Sequence, residues 1–518
     1  MNKCLTNGLL AVIACLPLCH AAAINELTQL TADDGEALDG FGESLEISGD
    51  LLIVGASFAD IDGAETQGAA YVFETDGAGS WTQVAKLTSD DGVEFDQFGI
   101  AVAIDGDTAV VGAKGAPIGG NSSQGAAYVF RHAPGDTSSW TSVRKLFADS
   151  SAGNLAEYGT AVDIDGDTII VGAQKGGSGS TGGFAYLYDK NTGGTDNWGE
   201  IKRLVDDVFD SNASFGVAVA IDGDTAVVGA NALDQTQFTN EGAFYIYNRN
   251  EGGAQNFGQT NRIYASVPRG NAKFGEDIAI DGNTIAVGTW NFGGTVGSGS
   301  GRAYMYENPT GTPGDWIEIA NVEADDAMVT AFFGISLALV GDTLVSGASN
   351  HDSLRGQGYV FSRNETGTDS WGQIESLTAS DSAPNDALGG DVAASAQHIA
   401  VGAAGNGAGV VYLYPGPGGN EPDSDGDGVT DDIDNCTLVD NAAQIDSNAD
   451  GFGNACDADL NDDCVVNVVD LGLLRTVFFS DDADADLNGD GVVNVIDLGT
   501  LRSVFFAPPG PSGVTFCP

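Results

Sequence analysis

Apolar and polar residues alternate along most of the chain in short runs, the period of a half-buried β-strand. The clearest stretch is Phe98-Gly-Ile-Ala-Val-Ala-Ile-Asp-Gly-Asp-Thr-Ala-Val-Val-Gly-Ala113, and versions of it recur seven times. Their starts fall at Phe41, Phe98, Tyr158, Phe215, Phe274, Phe333 and, degraded, Leu388, in steps of 57, 60, 57, 59, 59 and 55 residues. A near-fixed period of this size marks one supersecondary unit repeated as an array or propeller.

Each unit predicts a four-stranded antiparallel sheet, strands a to d. Strand a is Gly-x-Ala-Val-Ala-Ile, and the Asp-Gly-Asp after it (105–107, 165–167, 222–224) predicts a tight hairpin turn. Strand b, Ala-Val-Val-Gly-Ala, suits a strand covered on both faces, with its Gly (Gly55, Gly112, Gly172, Gly229) leaving room for a neighbouring backbone. Strand c carries the aromatic alternation of Tyr128-Val-Phe130, echoed as far as Tyr412-Leu-Tyr414. Strand d alternates around Trp81, Trp140, Trp198, Trp316 and Trp371, which read as packing residues between blades. The seventh unit stops after strand c at Tyr414, whereas 26–31 look like a strand d without a unit. The expected fold is therefore all-β, a seven-bladed propeller over 24–414 closed by its N-terminal strand, which removes open sheet edges.

Residues 1–23 combine Lys3, an apolar run from Leu9 to Leu18 and Ala21-Ala-Ala23, the pattern of a secretory signal peptide. The mature chain is expected to be exported, extracellular or associated with the cell surface, with no membrane span. Charge narrows the partners: 74 Asp+Glu against 19 Lys+Arg, a formal net charge of −55, disfavours nucleic acid and anionic lipid and makes divalent cations the natural counter-ions. Outside the signal the cysteines are Cys436, Cys456, Cys464 and Cys517. Four cysteines in an oxidising compartment allow three pairings; Cys436 with Cys456 and Cys464 with Cys517 is the pairing adopted.

A Pro/Gly linker at 415–422 separates the repeats from a tail of different chemistry. Asp423, Asp425, Asp427, Val429, Asp431 and Asp434 hold the oxygen-ligand spacing of a twelve-residue Ca²⁺ loop, Val429 through its carbonyl. A second loop is built on Asp446, Asn448, Asp450, Asn454 and Asp457. Two further loops are copies 27 residues apart: Asp459, Asn461, Asp463, Asn467 and Asp470, then Asp486, Asn488, Asp490, Asn494 and Asp497. Each is expected to feed a short apolar helix, 471–479 and 498–506, with metal binding and folding linked. Ca²⁺ is thus the one expected cofactor.

Three resemblances follow from these residues. Residues 24–414 resemble the FG-GAP repeats of integrin α-like propellers, through the Phe-Gly and Val-Gly-Ala pairs; 423–457 resemble thrombospondin type 3 calcium repeats; 458–507 resemble a dockerin type I duplicated calcium module, followed by a tail at 508–518 with Cys517. The integrin likeness implies calcium in an extended a–b hairpin, but Asp-Gly-Asp-Thr is too short to supply that shell, so no calcium is expected in the blades. In the tail Cys464 replaces the glycine of loop position 6. Val468-Val469 and Val495-Ile496 stand where dockerins place polar cohesin-recognising residues, so any attachment partner of the tail is left open.

Blade topology puts the b–c and d–a loops on one face, and the long b–c loops (57–68, 114–125, 231–242, 290–301, 349–356) make it the expected binding face. Asp33, Asp34, Asp39, Asp90, Asp91 and Asp96 of the d–a loops, and Trp290 at the start of a b–c loop, are its candidate residues, read as turn carboxylates and a blade cap unless a ligand engages them. The mature histidines, His132, His351 and His398, are isolated and no nucleophile motif accompanies them, so no catalytic residue is assigned. The expected function is a calcium-binding recognition or adhesion scaffold for an extracellular glycan or protein, its tail a spacer and attachment module. A polysaccharide-cleaving enzyme and a structural matrix or envelope component are the alternatives.

Overall fold

The computed structural model describes residues 24–506 except 78, 149–152, 177–181, 207–209, 211, 235–238, 295, 364–369, 418–434, 440, 442–444, 446, 449–451, 462–464, 481 and 488–490. Seven four-stranded antiparallel sheets carry the fold, each meandering a-b-c-d as expected. In blade 2 the strands are Phe98–Asp105, Thr108–Ala113, Ala126–Ala133 and Asp136–Leu146. Blade 7 contributes Val392–Ala394, His398–Ala403 and Val410–Pro415, and Thr28–Leu30 supplies its fourth strand, with Thr28 opposite Leu413 and Leu30 opposite Val411. Pro415, taken from the sequence as the first linker residue, is instead the last residue of that strand c, because Pro needs no ladder partner for a missing N–H at a strand end.

Strand b is buried along its whole length in blades 1, 2 and 3, matching its continuous apolar run. Its glycine answers a close approach between blades. A Cβ on Gly112 would drive into the carbonyl oxygen of Gly159 on the next blade, and one on Gly402 into that of Gly42, so the same contact closes the ring from blade 7 to blade 1. The aromatic that opens each unit fills the space beneath: Phe98 packs edge-on against Tyr128 and Phe130 at centroid distances of 5.4 and 5.9 Å. Each such pair adds about 0.5–1.5 kcal/mol beyond the area it buries. Trp198, Trp316 and Trp371 are buried among the blades, as the packing reading requires.

In the tail, a disulfide joins Cys436 to Cys456 with a Cα–Cα distance of 5.6 Å. Two helices follow, Val468–Thr476 and Val495–Ser503. Both begin three residues earlier than the apolar pattern suggests and stop before the Val-Phe-Phe segments. The reason is local: Asn467 and Asn494 are N-caps, and Asp470 and Asp497 complete capping boxes by accepting the cap residue's own N–H at 2.7 Å in each copy. Leu474, Leu501, Val466 and Val493 form the small core between the copies.

Candidate functional site

The face that presents the b–c and d–a loops is built by hydrogen bonds between blades. Parallel bridges pair Gly68 with Phe98, Gly125 with Tyr158, Gly183 with Phe215, Gly242 with Phe274, Gly301 with Phe333 and Gly356 with Leu388. Along one such seam the N–H groups of Phe95, Gln97 and Phe98 donate to the carbonyls of Glu65, Thr66 and Gln67 at 2.9, 3.2 and 2.9 Å. In blades 1, 2, 3, 5, 6 and 7 the seam constrains the backbone three residues before the start of the unit to positive φ: 76° at Leu38, 68° at Phe95, 61° at Leu155, 59° at Asn271, 62° at Thr330 and 77° at Asn385. The loops therefore stand on a scaffold that cannot easily rearrange.

Most of the acidic residues expected on this face turn out to hold the loops in place. The Tyr71 hydroxyl and Lys86 donate to Asp34 at 3.0 and 2.6 Å, and Tyr128 and Lys145 donate to Asp91 at 2.8 Å each. Burial alone would raise both carboxyls, but these donors outweigh it and keep them below the usual carboxylate range. Asp39 and Asp96 are buried and accept the N–H groups of Glu36 and Val93 at 2.7 and 2.9 Å. Asp33 and Asp90 stay exposed. The tyrosine-to-aspartate tie recurs at Tyr245–Asp206, Tyr359–Asp326 and Tyr412–Asp381. Trp290 packs edge-on against Phe332 of the next blade at 4.6 Å, a loop-to-loop contact that matches the capping reading.

Down the axis, strand a of all seven blades encloses a channel of about 470 Å³. Among the carboxyls that line it, Glu46, Asp163, Asp277 and Asp391 stand on blades 1, 3, 5 and 7. Three of them cross to the next blade, Asp391 accepting Leu45 N–H at 2.7 Å, Asp277 accepting Leu337 N–H at 2.6 Å and Asp163 accepting Ile221 N–H at 2.7 Å. Burial, only partly offset by these hydrogen bonds, pushes Asp163 and Asp277 up to about 7 and Asp391 well above its ordinary value. Burial and then the neighbouring charges of Asp163, Asp391 and Asp277 push Glu46 up to about 8.

At the a–b end of the channel the first aspartate of four hairpins does more than turn the chain. Asp105, Asp165, Asp222 and Asp281 accept the N–H groups of Gly166, Gly223, Gly282 and Gly341 at 2.7, 2.8, 2.5 and 2.6 Å, each tying its blade to the next. Sequence reasoning assigned Asp105, Asp165 and Asp222 to turns alone and did not single out Asp281. The available signal was that Asp recurs at the same place in four successive units, which a two-residue turn does not require.

In the tail, the twofold repeat in sequence becomes a twofold arrangement in space. Phe479 N–H donates to Val493 O at 2.8 Å and Phe506 N–H donates to Val466 O at 2.7 Å, two equivalent bonds 27 residues apart. Asp486 Oδ2 accepts Gly491 N–H at 2.7 Å, the fold-back expected of the first residue in a cation loop. Asp457, Asp459, Asp470 and Asp497 are buried, and Asn454 Oδ1 accepts Ser447 N–H at 2.9 Å. Among the described residues no three Asp, Glu, His or Cys side chains converge on one point. The proposed ligands Asn448, Asn454, Asp457, Asp459, Asn461, Asn467, Asp470, Asp486, Asn494 and Asp497 are described, whereas Asp423, Asp425, Asp427, Val429, Asp431, Asp434, Asp446, Asp450, Asp463, Asn488 and Asp490 lie outside the described residues. Cys464, Cys517 and the signal segment 1–23 lie outside them too. The donors present are carboxylate and amide oxygens, which fit a hard divalent cation.

No curated protein resembles the chain closely enough to count as a relative. The FG-GAP repeat family matches residues 24–73, 81–130, 140–188, 198–247, 257–306, 316–361 and 371–414, more than half of the chain. Each matched segment starts at or near strand d of one blade and ends in strand c of the next, so the family's repeat is offset by one strand from the blade, and the first segment contains the strand that closes blade 7. On these seven matches the chain belongs to the FG-GAP repeat family.

Proposed function

We propose that this chain is an exported recognition protein, in which the b–c and d–a loop face of the propeller binds an extracellular macromolecule and the tail is a calcium-stiffened spacer and attachment module. An FG-GAP propeller fits a recognition or adhesion scaffold and is typically not catalytic. The observation that carries the reading is the set of bridges between b–c and d–a loops, which present long loops on a ring closed on itself. Extracellular FG-GAP proteins and the Cys436–Cys456 disulfide support export, and among the described residues no helix is long and apolar enough to cross a membrane.

For the tail, Asp459, Asn461, Asp463, Asn467 and Asp470 would hold one Ca²⁺, and Asp486, Asn488, Asp490, Asn494 and Asp497 a second. The ion would supply the positive charge that lets these carboxylates approach. The test is binding of the full mature chain to arrays of extracellular proteins and glycans, with and without Ca²⁺. Specific retention that is lost when b–c loop residues are replaced supports the reading; a chain that retains no macromolecule, with or without Ca²⁺, overturns it.

A further inference from the structure

The loop face is not equal around the ring. In blades 1, 2, 3, 5, 6 and 7 the position three residues before the start of the unit is held at positive φ by the seam between blades, a conformation that costs an ordinary L-residue about 1–2 kcal/mol and that Asn tolerates best. Blades 5 and 7 place Asn271 and Asn385 there. Blades 1, 2 and 3 place Leu38, Phe95 and Leu155, which are large, apolar and 79%, 55% and 56% exposed. Three adjacent blades thus combine an unfavourable backbone with an unfavourable surface, and burial within the fold repays neither. Strain and exposure retained together point to use.

The arc also has a receiving cavity. Leu38 and Phe58, the latter 43% exposed, line a hollow of about 640 Å³ between the d–a and b–c loops of blade 1. Exposed Glu36, Asp60 and Glu65 stand around it, and Lys and Arg are absent from its described lining. Phe95 adjoins this rim, since its N–H donates to Glu65 O at 2.9 Å. Of the cations on these blades, Lys86 and Lys145 are engaged by Asp34 and Asp91 at 2.6 and 2.8 Å, and Lys114 is close enough to Glu43 of the lining to act on its carboxyl.

We propose that the arc of blades 1 to 3, centred on Leu38, Phe58 and Phe95, is a docking surface for a polypeptide segment that presents an apolar side chain between Lys or Arg residues. This rests on the recognition role of the loop face and names the partner chemistry for it. The hollow takes the apolar side chain, and the carboxylate rim, on a chain of net charge −55, selects flanking cations over acidic or neutral ones. Leu155 extends the apolar track on to blade 3.

The test uses the full mature chain and a labelled synthetic peptide with Leu-Phe between two pairs of Lys, alongside one with Glu for Lys and one with Ser for Leu-Phe. The Lys-flanked Leu-Phe peptide is expected to bind, both controls to bind at least about tenfold more weakly, and added salt to weaken it. A triple variant, Leu38→Asn, Phe95→Asn and Leu155→Asn, adopts the residue that blades 5 and 7 already use. It is expected to lose about tenfold or more in peptide affinity while its melting temperature holds or rises. Glu36→Gln with Glu65→Gln should weaken binding and flatten its salt dependence. Equal affinity of the triple variant and the native chain overturns the proposal, as does equal binding of the Ser control or no binding of the Leu-Phe peptide. A fall in melting temperature shows these side chains to be packing residues and overturns it too. If the triple variant still captures the macromolecules that the native chain retains, the arc is refuted and the wider recognition role stands.

Discussion

Glu46 offers the sharpest quantitative test of the axial channel. Its side chain lines the lumen on blade 1, with Oε1 accepting Ile47 N–H at 3.1 Å, and burial with the facing charges of Asp163, Asp391 and Asp277 pushes its carboxyl up to about 8. An unfolded Glu titrates near about 4.3, so between these values the folded chain keeps a proton that the unfolded chain has released. Stability contributed by this group is full below the unfolded value and is lost as pH rises through the folded one, by about 1.4 kcal/mol per unit and at most about 5 kcal/mol. Water in the lumen and counter-ions reduce the field, leaving a working difference of about 1–2 kcal/mol. Glu46→Gln removes the charge and keeps the acceptor for Ile47. All six Trp lie between residues 81 and 371, so tryptophan fluorescence reports the propeller during urea unfolding of the full chain. With calcium held constant, native and variant should coincide at about pH 4, below the unfolded value, and the variant should be the more stable at pH 8. Asp34, Asp91 and Asp107, held low against burial by their Lys, Arg, Tyr and Thr donors, lose their contribution only as pH falls below the carboxylate range. His398, lowered by burial, is common to both proteins and cancels in the difference. A variant that follows the native curve at every pH, or is less stable at pH 8, refutes the account.

Three further outcomes are expected. Gly112→Ala sets a methyl against the Gly159 carbonyl of the next blade and should destabilise the propeller by about 3 kcal/mol or more in the same urea assay, with Gly402→Ala acting alike at the closing seam. Replacing Cys436 and Cys456 by Ala opens a loop of 20 residues and should cost the tail about 3 kcal/mol, leaving the tryptophan-reported transition unchanged. Chelation of Ca²⁺ should unfold the two-helix tail, read by loss of helical circular dichroism, and Asp497→Ala should reproduce half of that loss with calcium present.

Blade number, strand order and closure were legible because the contacts behind them demand particular residues. The backbone approach at Gly112 admits no side chain, and the aromatic of each unit must fill one space between Tyr128-like and Phe130-like rings. The inter-blade ties were not legible. Asp105 reaches Gly166 and Asp163 reaches Ile221, partners about one period away, and in sequence a carboxylate that bonds across a seam looks like one that turns a hairpin. Positive φ at Leu38 was hidden for the same reason: the seam imposes it, and leucine itself gives no warning. Helix starts were misplaced because the calcium-type loop and the helix share residues, Asn467 capping the helix while standing in the loop's ligand series.

The strand that ends blade 7 also sets how a pull on the tail would reach the ring. Val410–Pro415 leaves the blade beside the a–b turn, with Pro415 opposite His398 and Gly416 N–H on Gln397 O, at the end of the sheet away from the b–c and d–a loops. A partner held by those loops and an anchor on the tail would therefore pull on opposite faces of the ring. Tension on the tail would enter lengthwise through a strand flanked on one side by His398–Ala403 and on the other by Thr28–Leu30, so both ladders would have to shear together. Under such a pull the N-terminal strand would serve as a mechanical clasp, and trimming it should convert a shear-loaded joint into one that peels open at low force.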